Sequence, residues 1–237
     1  MKYLIGNWKA NKTIAEASAW IEQVKREMPV LSESLRVVLC PSDIHLFLFK
    51  KEWPGLTLGA QDCSPYGDGA YTGQVTARML APLVNYVILG HSERRRYFHE
   101  DESMVVKKAI QALDNGITPI IAVDANNFRK QLVALETNQR KESIVMYEPP
   151  EAISEQIGPI GKGKAAPLEE VRKMIERIKT EYEVSRVLYG GSVKSDNLAT
   201  FLNEPMVDGV LPGSASLNAQ EWVRMMRIGN EAIQNSR

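Results

Sequence analysis

Three side chains suited to proton-transfer chemistry follow short apolar runs of this 237-residue chain. Lys9, His91 and Glu148 each lie within a few residues of the end of such a run. A carboxylate can abstract a proton, an imidazole can polarise an oxygen, and an ammonium can stabilise a developing negative charge. Taken singly, each of these side chains is more often a solvated or packed group than a functional one. Their convergence on one site would indicate an enzyme that moves protons.

A second candidate for chemistry is the glycine-rich stretch GPIGKGKAAP, which begins at Gly158. Together with Gly163 and Lys164, Gly158 matches the spacing of a nucleotide-binding phosphate loop. Ala165, however, stands where such a loop has a hydroxyl for magnesium, and ten residues separate the stretch from the preceding apolar run. We therefore expect no nucleotide site here, but either an ordinary surface loop or a phosphate-binding segment of another kind.

The composition excludes several classes of function. Lys plus Arg number 29 and Asp plus Glu also number 29, so the formal net charge is zero. General nucleic-acid binders and membrane-surface proteins need a basic excess, so neither partner is expected. No apolar run approaches the roughly 20 residues of a membrane helix, and the amino-terminal run is too short for a signal peptide. The sequence predicts a cytoplasmic protein.

The two cysteines, Cys40 and Cys63, lie in or beside short apolar runs. Neither has a second cysteine or a histidine at the spacing of a zinc site. We expect two small buried side chains rather than a disulfide, and no metal site.

Eight short apolar runs, several of them rich in β-branched residues, alternate with longer amphipathic stretches along the whole chain. Such runs are typical of strands buried on both faces, and the stretches between them are typical of helices. The runs are Tyr3–Ile5, Arg36–Cys40, Leu56–Ala60, Tyr86–Leu89, Thr118–Val123, Ser143–Tyr147, Arg186–Tyr189 and Gly209–Leu211.

A strand that is followed each time by a helix requires parallel pairing and right-handed crossovers. An open doubly wound sheet and a closed eight-stranded barrel both satisfy this requirement. The count of eight, and a length near the ~250 residues typical of such a barrel, favour the barrel. Because no linker or low-complexity tract divides the chain, we predict one α/β domain over residues 1–237.

In a barrel of this kind, functional groups gather where the strands end and the following loops begin. Lys9, His91 and Glu148 all occupy such positions. So do two glycine–serine pairs, Gly191-Ser192 and Gly213-Ser214. Because glycine lets a backbone N–H approach a ligand closely, these pairs are candidate phosphate-binding groups.

Six stretches of the sequence resemble the landmarks of the triosephosphate isomerase family, in that family's order and roughly its spacing. They are GNWKANKT from Gly6, GAQDCSPYGDGAYTGQV from Gly59, ILGHSERRRYF from Ile88, YEP from Tyr147, YGGSV from Tyr189 and DGVLPGSASL from Asp208. The resemblance covers nearly the whole chain. It implies a single-domain (β/α)8 TIM barrel that interconverts dihydroxyacetone phosphate and glyceraldehyde 3-phosphate without a metal or an organic cofactor.

The resemblance also implies a role for each site residue. Glu148 is the base that takes a proton from the carbon next to the carbonyl and returns it to the neighbouring carbon. His91 polarises the carbonyl and the enediolate oxygen. Lys9 places a positive charge beside the phosphate and the developing oxyanion, and Asn7 donates a hydrogen bond to the same oxygen. Glu93 orients Lys9 and does not itself contact the substrate.

In this family the phosphate of the substrate is held by backbone N–H groups and covered by a loop that closes after the catalytic glutamate. The resemblance assigns the grip to Gly191, Ser192, Gly213 and Ser214, with the closing loop contributing Gly161. The segment IGKGK, which contains Gly161, matches the tip of that loop.

The closing loop departs from the family pattern, because seven residues, Ile153–Pro159, look inserted between its hinge and its tip. A second alignment, with Ala152–Ser154 as the tip, stays open. The hinge tryptophan of the family is absent near Glu151. We expect slower closure and weaker phosphate affinity than in a standard member, although the entropic cost of a longer loop grows only slowly with its length.

Two other departures lie outside the predicted catalytic residues. Val123–Asn126 replaces the Cys-x-Gly-Glu that usually follows strand five, and the chain between strands five and six is about a dozen residues short by the resemblance. Gln74 replaces a common glutamate, which removes an expected ion pair with Arg94.

The long loop after strand three, Asp62–Thr76, keeps the full length that it has in the family. There it reaches into a partner subunit, and here it carries Tyr66 and Tyr71, which are costly to leave exposed. The resemblance therefore implies a homodimer in which Thr72 approaches the partner's site, and the shortened region after strand five leaves a tetramer open.

Two alternative functions differ in class from the leading one. In the first, the same proton-shuttling residues serve another small phosphorylated carbonyl, with the altered loop changing specificity. Alternatively, the barrel is a non-catalytic sugar-phosphate binder. The presence together of Lys9, His91 and Glu148 disfavours the binder, because binding alone needs no base.

Overall fold

The computed structural model describes residues 1–149, 152 and 163–234. The predicted phosphate-binding residue Gly161 and the inserted segment Ile153–Pro159 lie outside these residues. Within them, eight strands alternate with helices around the chain. The strands are Lys2–Asn7 (β1), Leu35–Cys40 (β2), Thr57–Ala60 (β3), Tyr86–Leu89 (β4), Thr118–Val123 (β5), Ile144–Tyr147 (β6), Val187–Tyr189 (β7) and Gly209–Val210 (β8).

The sheet is a closed barrel in which every strand runs parallel to its two neighbours in chain order. Closure comes from β1 and β8, where Tyr3 pairs with Gly209 and Leu4 with Val210. The barrel predicted from eight apolar runs is confirmed, and the open doubly wound sheet is excluded because it would leave two unpaired edges.

The helices that cover the barrel differ widely in length. They are Ile14–Glu27 (α1), Asp43–Glu52 (α2), Ala77–Leu80 (α3), Ser92–Phe98 (α4), Glu102–Asp114 (α5), Phe128–Val133 (α6), Thr137–Glu142 (α7), Leu168–Tyr182 (α8), Ser195–Leu202 (α9) and Ala219–Gln234 (α10). The region between β5 and β6 thus holds two six-residue helices, α6 and α7. A single-turn 3-10 helix, Ser214–Ser216, precedes α10.

Local sequence signals explain where several helices begin. Thr13 and Glu16 form a reciprocal capping box at the start of α1. Asn218 accepts a hydrogen bond from the N–H of Glu221 at 3.0 Å and so caps α10, as its residue type predicts. Pro167 immediately precedes α8.

Two buried clusters follow from the alternation of side chains along each strand. One set fills the interior of the barrel, and the other set packs beneath the helices. The interior set is Tyr3, Ile5, Val38, Cys40, Ile88, Ile120, Ala122, Ile144, Met146, Leu188 and Leu211. Each fully buried Leu, Ile or Val contributes about 1.5–3 kcal/mol relative to exposure.

An aromatic group supports the loop that carries Lys9. The ring of Trp8 is fully buried and meets Trp20 and Phe49 edge to face, with ring centroids 5.1 and 5.3 Å apart. Its indole N–H donates to the carbonyl of Ser216 at 3.1 Å. These contacts fix the backbone immediately before Lys9 against α1, α2 and the start of the segment that leads to α10.

A partly buried cluster of four charges ties the loop after β3 to the helices beside it. The ammonium of Lys108 lies 2.7 Å from Asp62 and 2.5 Å from Glu100. The guanidinium of Arg94 contacts the same two carboxylates at 2.8 and 2.9 Å. Arg94 is therefore neutralised within its own chain, so the glutamine at position 74 leaves no unpaired charge there.

Both cysteines are free and buried, as the sequence predicts. Burial raises the pKa of Cys40, and it raises the pKa of Cys63 to about 12. Neither thiol is ionised near neutral pH, so neither is a nucleophile. Among the described residues, no helix is long and apolar enough to cross a membrane.

Candidate active site

Glu148 and His91 meet at the carboxyl end of the barrel. Glu148 directly follows β6, and its backbone N–H donates to the carbonyl of Val123 at 2.8 Å, which fixes it to the end of β5. Its Oε1 lies 3.0 Å from His91 Nε2, and its Oε2 accepts a hydrogen bond from the N–H of Ser92 at 3.1 Å. Both side chains are buried. A carboxylate and an imidazole thus share one enclosed position.

The hydrogen bonds of His91 define which ring nitrogen carries the proton. His91 precedes α4, and its Nδ1 accepts a hydrogen bond from the backbone N–H of Glu93 at 3.2 Å. A nitrogen that accepts a hydrogen bond carries no proton, so in the neutral ring the proton is on Nε2. That N–H faces the carboxylate of Glu148. In its neutral form the imidazole therefore presents an N–H donor to this carboxylate.

The pKa values of these two groups are coupled. Burial by itself would raise the pKa of Glu148, but His91 and the N–H of Ser92 outweigh burial and leave that pKa lowered. Burial would likewise lower the pKa of His91, but the carboxylates of Glu148 and Glu93 outweigh it and leave that pKa raised. If Glu148 moves away from His91, both shifts weaken, so the carboxylate becomes a stronger base and the imidazole becomes harder to protonate.

Replacing Glu148 by glutamine tests this coupling in solution. The amide keeps the size of the side chain but removes the largest cause that raises the pKa of His91, so we expect that pKa to fall below its value in the wild type. An NMR titration of the imidazole signals measures it, with His45 and His99 as internal references. A His91 pKa that stays at the wild-type value would show that the contact does not control its titration.

Lys9 is held in an uncommon backbone conformation by three side chains. Its φ is +52°, in the left-handed region that most residues avoid. Its N–H donates to Asn7 Oδ1 at 2.9 Å, and its carbonyl accepts from Ser42 Oγ at 3.0 Å and from Gln61 Nε2 at 2.9 Å. Its ammonium contacts Glu93 at 2.5 Å. The positive charge is thereby fixed in position before any ligand binds.

The side-chain oxygen of Asn7 already accepts a hydrogen bond from the backbone N–H of Lys9. Asn7 is buried at the end of β1. With Oδ1 accepting from the backbone, Nδ2 is the atom of this side chain that remains to donate a hydrogen bond.

Small residues keep space open next to Lys9. A Cβ added at Gly213 would lie 3.3 Å from Cε of Lys9, so a larger residue would crowd the ammonium. Ser214 begins the 3-10 helix and is exposed. The loop after β8 therefore brings backbone N–H groups and a hydroxyl beside the fixed positive charge.

In the loop after β7, a glycine is needed at position 191 for a different reason. A Cβ at Gly191 would collide with the phenol of Tyr189, which is fully buried. That phenol accepts a hydrogen bond from the N–H of Ala166 at 2.8 Å, and the hydroxyl of Ser192 donates to the carbonyl of Ala152 at 3.0 Å. Both bonds attach the ends of the segment that follows β6 to this loop.

The structure brings together most of the residues that the sequence indicates. Direct contacts join one group, and a second group surrounds it on the loops after β7 and β8. The first is Asn7, Lys9, Glu93, His91 and Glu148, and the second is Gly191, Ser192, Gly213 and Ser214. Thr72 is exposed on the loop after β3.

Four contributors to the site were not foreseen. Ser92 binds Glu148 through its backbone N–H, while Ser42 and Gln61 hold the carbonyl of Lys9, and Tyr189 binds Ala166. Of these four, Gln61 is the residue that the sequence could have indicated, because it directly follows β3 and belongs to the same rim as the predicted residues. Ser92 makes its contact through the backbone N–H, so the type of its side chain gives no indication of that contact.

Among the described residues, no three His, Cys, Asp or Glu side chains are grouped so that they could hold a metal ion.

Comparison with known proteins adds sequence-wide information to this geometry. A family model described as triosephosphate isomerase matches residues 2–229. A triosephosphate isomerase of Thermus thermophilus is 38% identical over 243 residues, covering 94% of this chain and 96% of the relative. Those of Nocardia farcinica and Dehalococcoides mccartyi are 34% and 36% identical, each match covering at least 94% of both chains.

Proposed function

The chain belongs to the triosephosphate isomerase family and interconverts dihydroxyacetone phosphate and glyceraldehyde 3-phosphate, and on that premise we propose how its residues carry out the reaction. Glu148 is the base, His91 and Asn7 donate hydrogen bonds to the oxygens that acquire charge, and Lys9 supplies a fixed positive charge. The observation that carries this proposal is the 3.0 Å contact between Glu148 and Nε2 of His91 in a buried site, with Nδ1 of His91 accepting a hydrogen bond from the backbone.

The first step is the removal of a proton from carbon 1 of dihydroxyacetone phosphate. Both oxygens of Glu148 are engaged in the structure, one with His91 and one with the N–H of Ser92. The carboxylate must therefore leave these contacts to reach a carbon. On leaving His91 it loses the interaction that lowers its pKa, which strengthens it as a base at the moment when it accepts the proton.

The electron pair of the broken C–H bond forms a double bond between carbons 1 and 2, and the carbonyl oxygen becomes negatively charged. The N–H of His91 and the ammonium of Lys9 stabilise that enediolate because they are already in place and need no reorganisation. A proton then passes from the oxygen on carbon 1 to the oxygen on carbon 2. The carboxylic acid of Glu148 returns its proton to carbon 2, which gives glyceraldehyde 3-phosphate.

The phosphate is bound by the loops after β7 and β8. Gly191, Ser192, Gly213 and Ser214 supply N–H groups, and Lys9 adds its charge. Gly161 of the segment after β6 completes the grip in this proposal. The bonds that attach both ends of that segment to Tyr189 and Ser192 support a position over the phosphate.

Solvent exchange tests the proton-transfer route. A proton held on Glu148 exchanges with water before its return, so turnover in D2O is expected to place deuterium on carbon 2 of glyceraldehyde 3-phosphate. Proton NMR of the product, with the aldehyde trapped as it forms, measures the label. A product free of deuterium would contradict a carboxylate intermediary. The same assay with other small phosphorylated carbonyls distinguishes a broader substrate range.

We also propose that the chain is a homodimer built on the loops at the carboxyl ends of β2, β3 and β4. Large apolar side chains are exposed there: Phe47 is 71% and Ile44 69% exposed on α2, and Met79 is 52% exposed on α3. Tyr66 and Tyr71 stack on each other with centroids 4.4 Å apart and stay partly exposed. Such a surface is typical of a subunit interface.

This interface would also support catalysis. Ser42 and Gln61, which hold the carbonyl of Lys9, lie at the starts of the loops that would be covered. Thr72 is the residue proposed to approach the partner's site. Dimerisation would thus stabilise the unusual backbone conformation of Lys9. A tetramer, the single-domain boundary at residues 1–237 and the cytoplasmic location stay predictions.

Phe47→Glu tests the interface. Burying a carboxylate against a second apolar surface is unfavourable, so we expect a monomer at micromolar concentration and kcat reduced by roughly tenfold. Light scattering coupled to gel filtration gives the mass, and dilution series give the activity. Val30→Glu is the matched control, because Val30 is 95% exposed between α1 and β2, at the opposite end of the barrel. Equal masses for the two variants would refute this interface.

A further inference from the structure

Gln131 is a buried amide that the proposed reaction leaves without a role. It lies on the six-residue helix α6, and its side chain is fully buried. Its oxygen accepts a hydrogen bond from Arg95 Nη2 at 2.8 Å, and its nitrogen donates to the carbonyl of Glu102 at 3.4 Å. A buried amide with both ends hydrogen-bonded holds its partners in fixed positions.

The group that Gln131 orders is the guanidinium of Arg95. Arg95 Nε donates to the carbonyl of Gly90 at 2.8 Å, and its Nη2 reaches the carbonyl of Ala122 at 3.5 Å. Gly90 has φ of +67°, and a Cβ there would lie 2.8 Å from Arg95 Nη2. The guanidinium is thus packed directly against the peptide that joins Gly90 to His91.

The two carbonyls that Arg95 contacts belong to the two halves of the site. Gly90 immediately precedes His91. Ala122 immediately precedes Val123, whose carbonyl accepts the backbone N–H of Glu148 at 2.8 Å. Arg95 therefore spans the ends of β4 and β5 and sets the distance between the backbones that carry the imidazole and the carboxylate.

From these contacts we infer that Gln131 is a positioning residue for the isomerase reaction, acting through Arg95 on the relative placement of His91 and Glu148. The inference rests on the proposed roles of His91 and Glu148. A planar guanidinium has fixed donor directions, so an acceptor on one side determines where the others point. Gln131 is that acceptor, and α6 is the element that supplies it.

The neighbouring carboxylate does not substitute for Gln131. Glu102 lies 3.6 Å from Arg95 Nη1, beyond normal hydrogen-bond length, and its other oxygen is paired with Lys130 at 2.8 Å. Without Gln131, Nη2 would keep only the long contact to Ala122. The guanidinium could then turn toward Glu102 and release the carbonyl of Gly90.

Gln131→Leu is expected to lower kcat by about tenfold, because small errors in the placement of reacting groups slow proton transfer more than binding. KM is expected to stay within about twofold of the wild type, since no substrate contact is removed. The imidazole signals of His91 in a nitrogen-15 NMR spectrum are expected to move, while those of His45 and His99 stay in place. The spectral change does not depend on turnover.

Three further variants complete the experiment. Gln131→Glu keeps an oxygen for Arg95 and is expected to recover kcat to within about threefold of the wild type. Arg95→Lys keeps the charge but loses the planar fork, and is expected to behave like Gln131→Leu. Lys130→Ala removes an exposed partner of Glu102 on the same helix and is expected to change neither kcat nor the His91 signals.

The inference is wrong if Gln131→Leu lowers only the melting temperature, with kcat and the His91 signals unchanged. It is equally wrong if Gln131→Glu, folded and stable, is as slow as Gln131→Leu. Should the leucine variant not fold, Gln131→Glu and Arg95→Lys decide the question by the same two measurements. Failure of the proposed function would appear elsewhere, as a wild type that turns over neither triose phosphate.

Discussion

Glu148→Gln is expected to lower kcat by about three orders of magnitude, because the variant keeps the shape of the site but lacks the proposed base. KM should change little, since the loops after β7 and β8, which are proposed to bind the phosphate, are untouched. The amide nitrogen would also face the N–H of Ser92 or of His91, both of which are donors, so the side chain is expected to shift. A coupled assay run in both directions with the purified variant measures the loss.

Glu148→Asp separates the presence of a base from its position. The carboxylate remains but is shorter by one methylene, and a displacement of about 1 Å in a reacting group costs about a hundredfold in rate. We therefore expect activity between those of the wild type and the glutamine variant. Full activity in the glutamine variant, measured on protein free of wild-type enzyme, would remove Glu148 from the mechanism.

Lys9→Met is expected to reduce kcat/KM by about a hundredfold to a thousandfold, a typical cost of losing one pre-positioned stabilising group. The methionine keeps the length of the side chain but not its charge, and it leaves Glu93 without the ammonium that it contacts at 2.5 Å. Both kinetic constants should be affected, because Lys9 lies beside Gly213 and is also proposed to stabilise the reacting oxygens. Steady-state kinetics and the inhibition constant for inorganic phosphate measure the two effects.

Lys12→Met is the matched control for that loss. Lys12 lies on the same loop and also has a left-handed backbone, with φ of +73°. Its ammonium rests over the ring of Trp8 at 5.2 Å. Methionine can keep that contact with the ring, so the variant is expected to retain nearly full activity. A comparable loss in both variants would mean that the conformation of the loop, and not the charge of Lys9, had been changed.

The fold follows from the sequence because each of its determinants is local. A short apolar run reads as a strand buried on both faces wherever it occurs, and the predicted runs agree with the eight strands to within two residues at either end. β4 and β5 coincide with the predicted runs Tyr86–Leu89 and Thr118–Val123. Eight such strands with helices between them allow few topologies, and the pairing of consecutive strands narrows these to the barrel.

The candidate site could be predicted from the sequence only in part. Lys9, His91 and Glu148 could be found because a parallel barrel collects the ends of its strands at one rim. The contacts that hold them could not, since they join residues far apart in the chain through backbone atoms. The N–H of Ser92 and Glu148 are 56 residues apart, and Arg95 and Gln131 are 36 apart. Nothing in the type or spacing of these residues indicates that they meet.

The expected consequence of Gln74 shows the same limit. A missing glutamate on the loop after β3 predicts that Arg94 loses a partner. In the structure, Asp62 and Glu100 provide two carboxylates for it within the chain. The compensation is visible only once β3, α4 and α5 are assembled.

That four-charge cluster has a consequence for the order of assembly. Lys108 and Glu100 are almost completely enclosed, so detaching Asp62 from them would strand a charge away from water. Contacts within one chain therefore hold the base of the loop after β3 against its own barrel, independently of association with a second chain. In the proposed dimer, two subunits would meet as preformed surfaces rather than fold around each other, and their association should be fast and carry little ordering entropy.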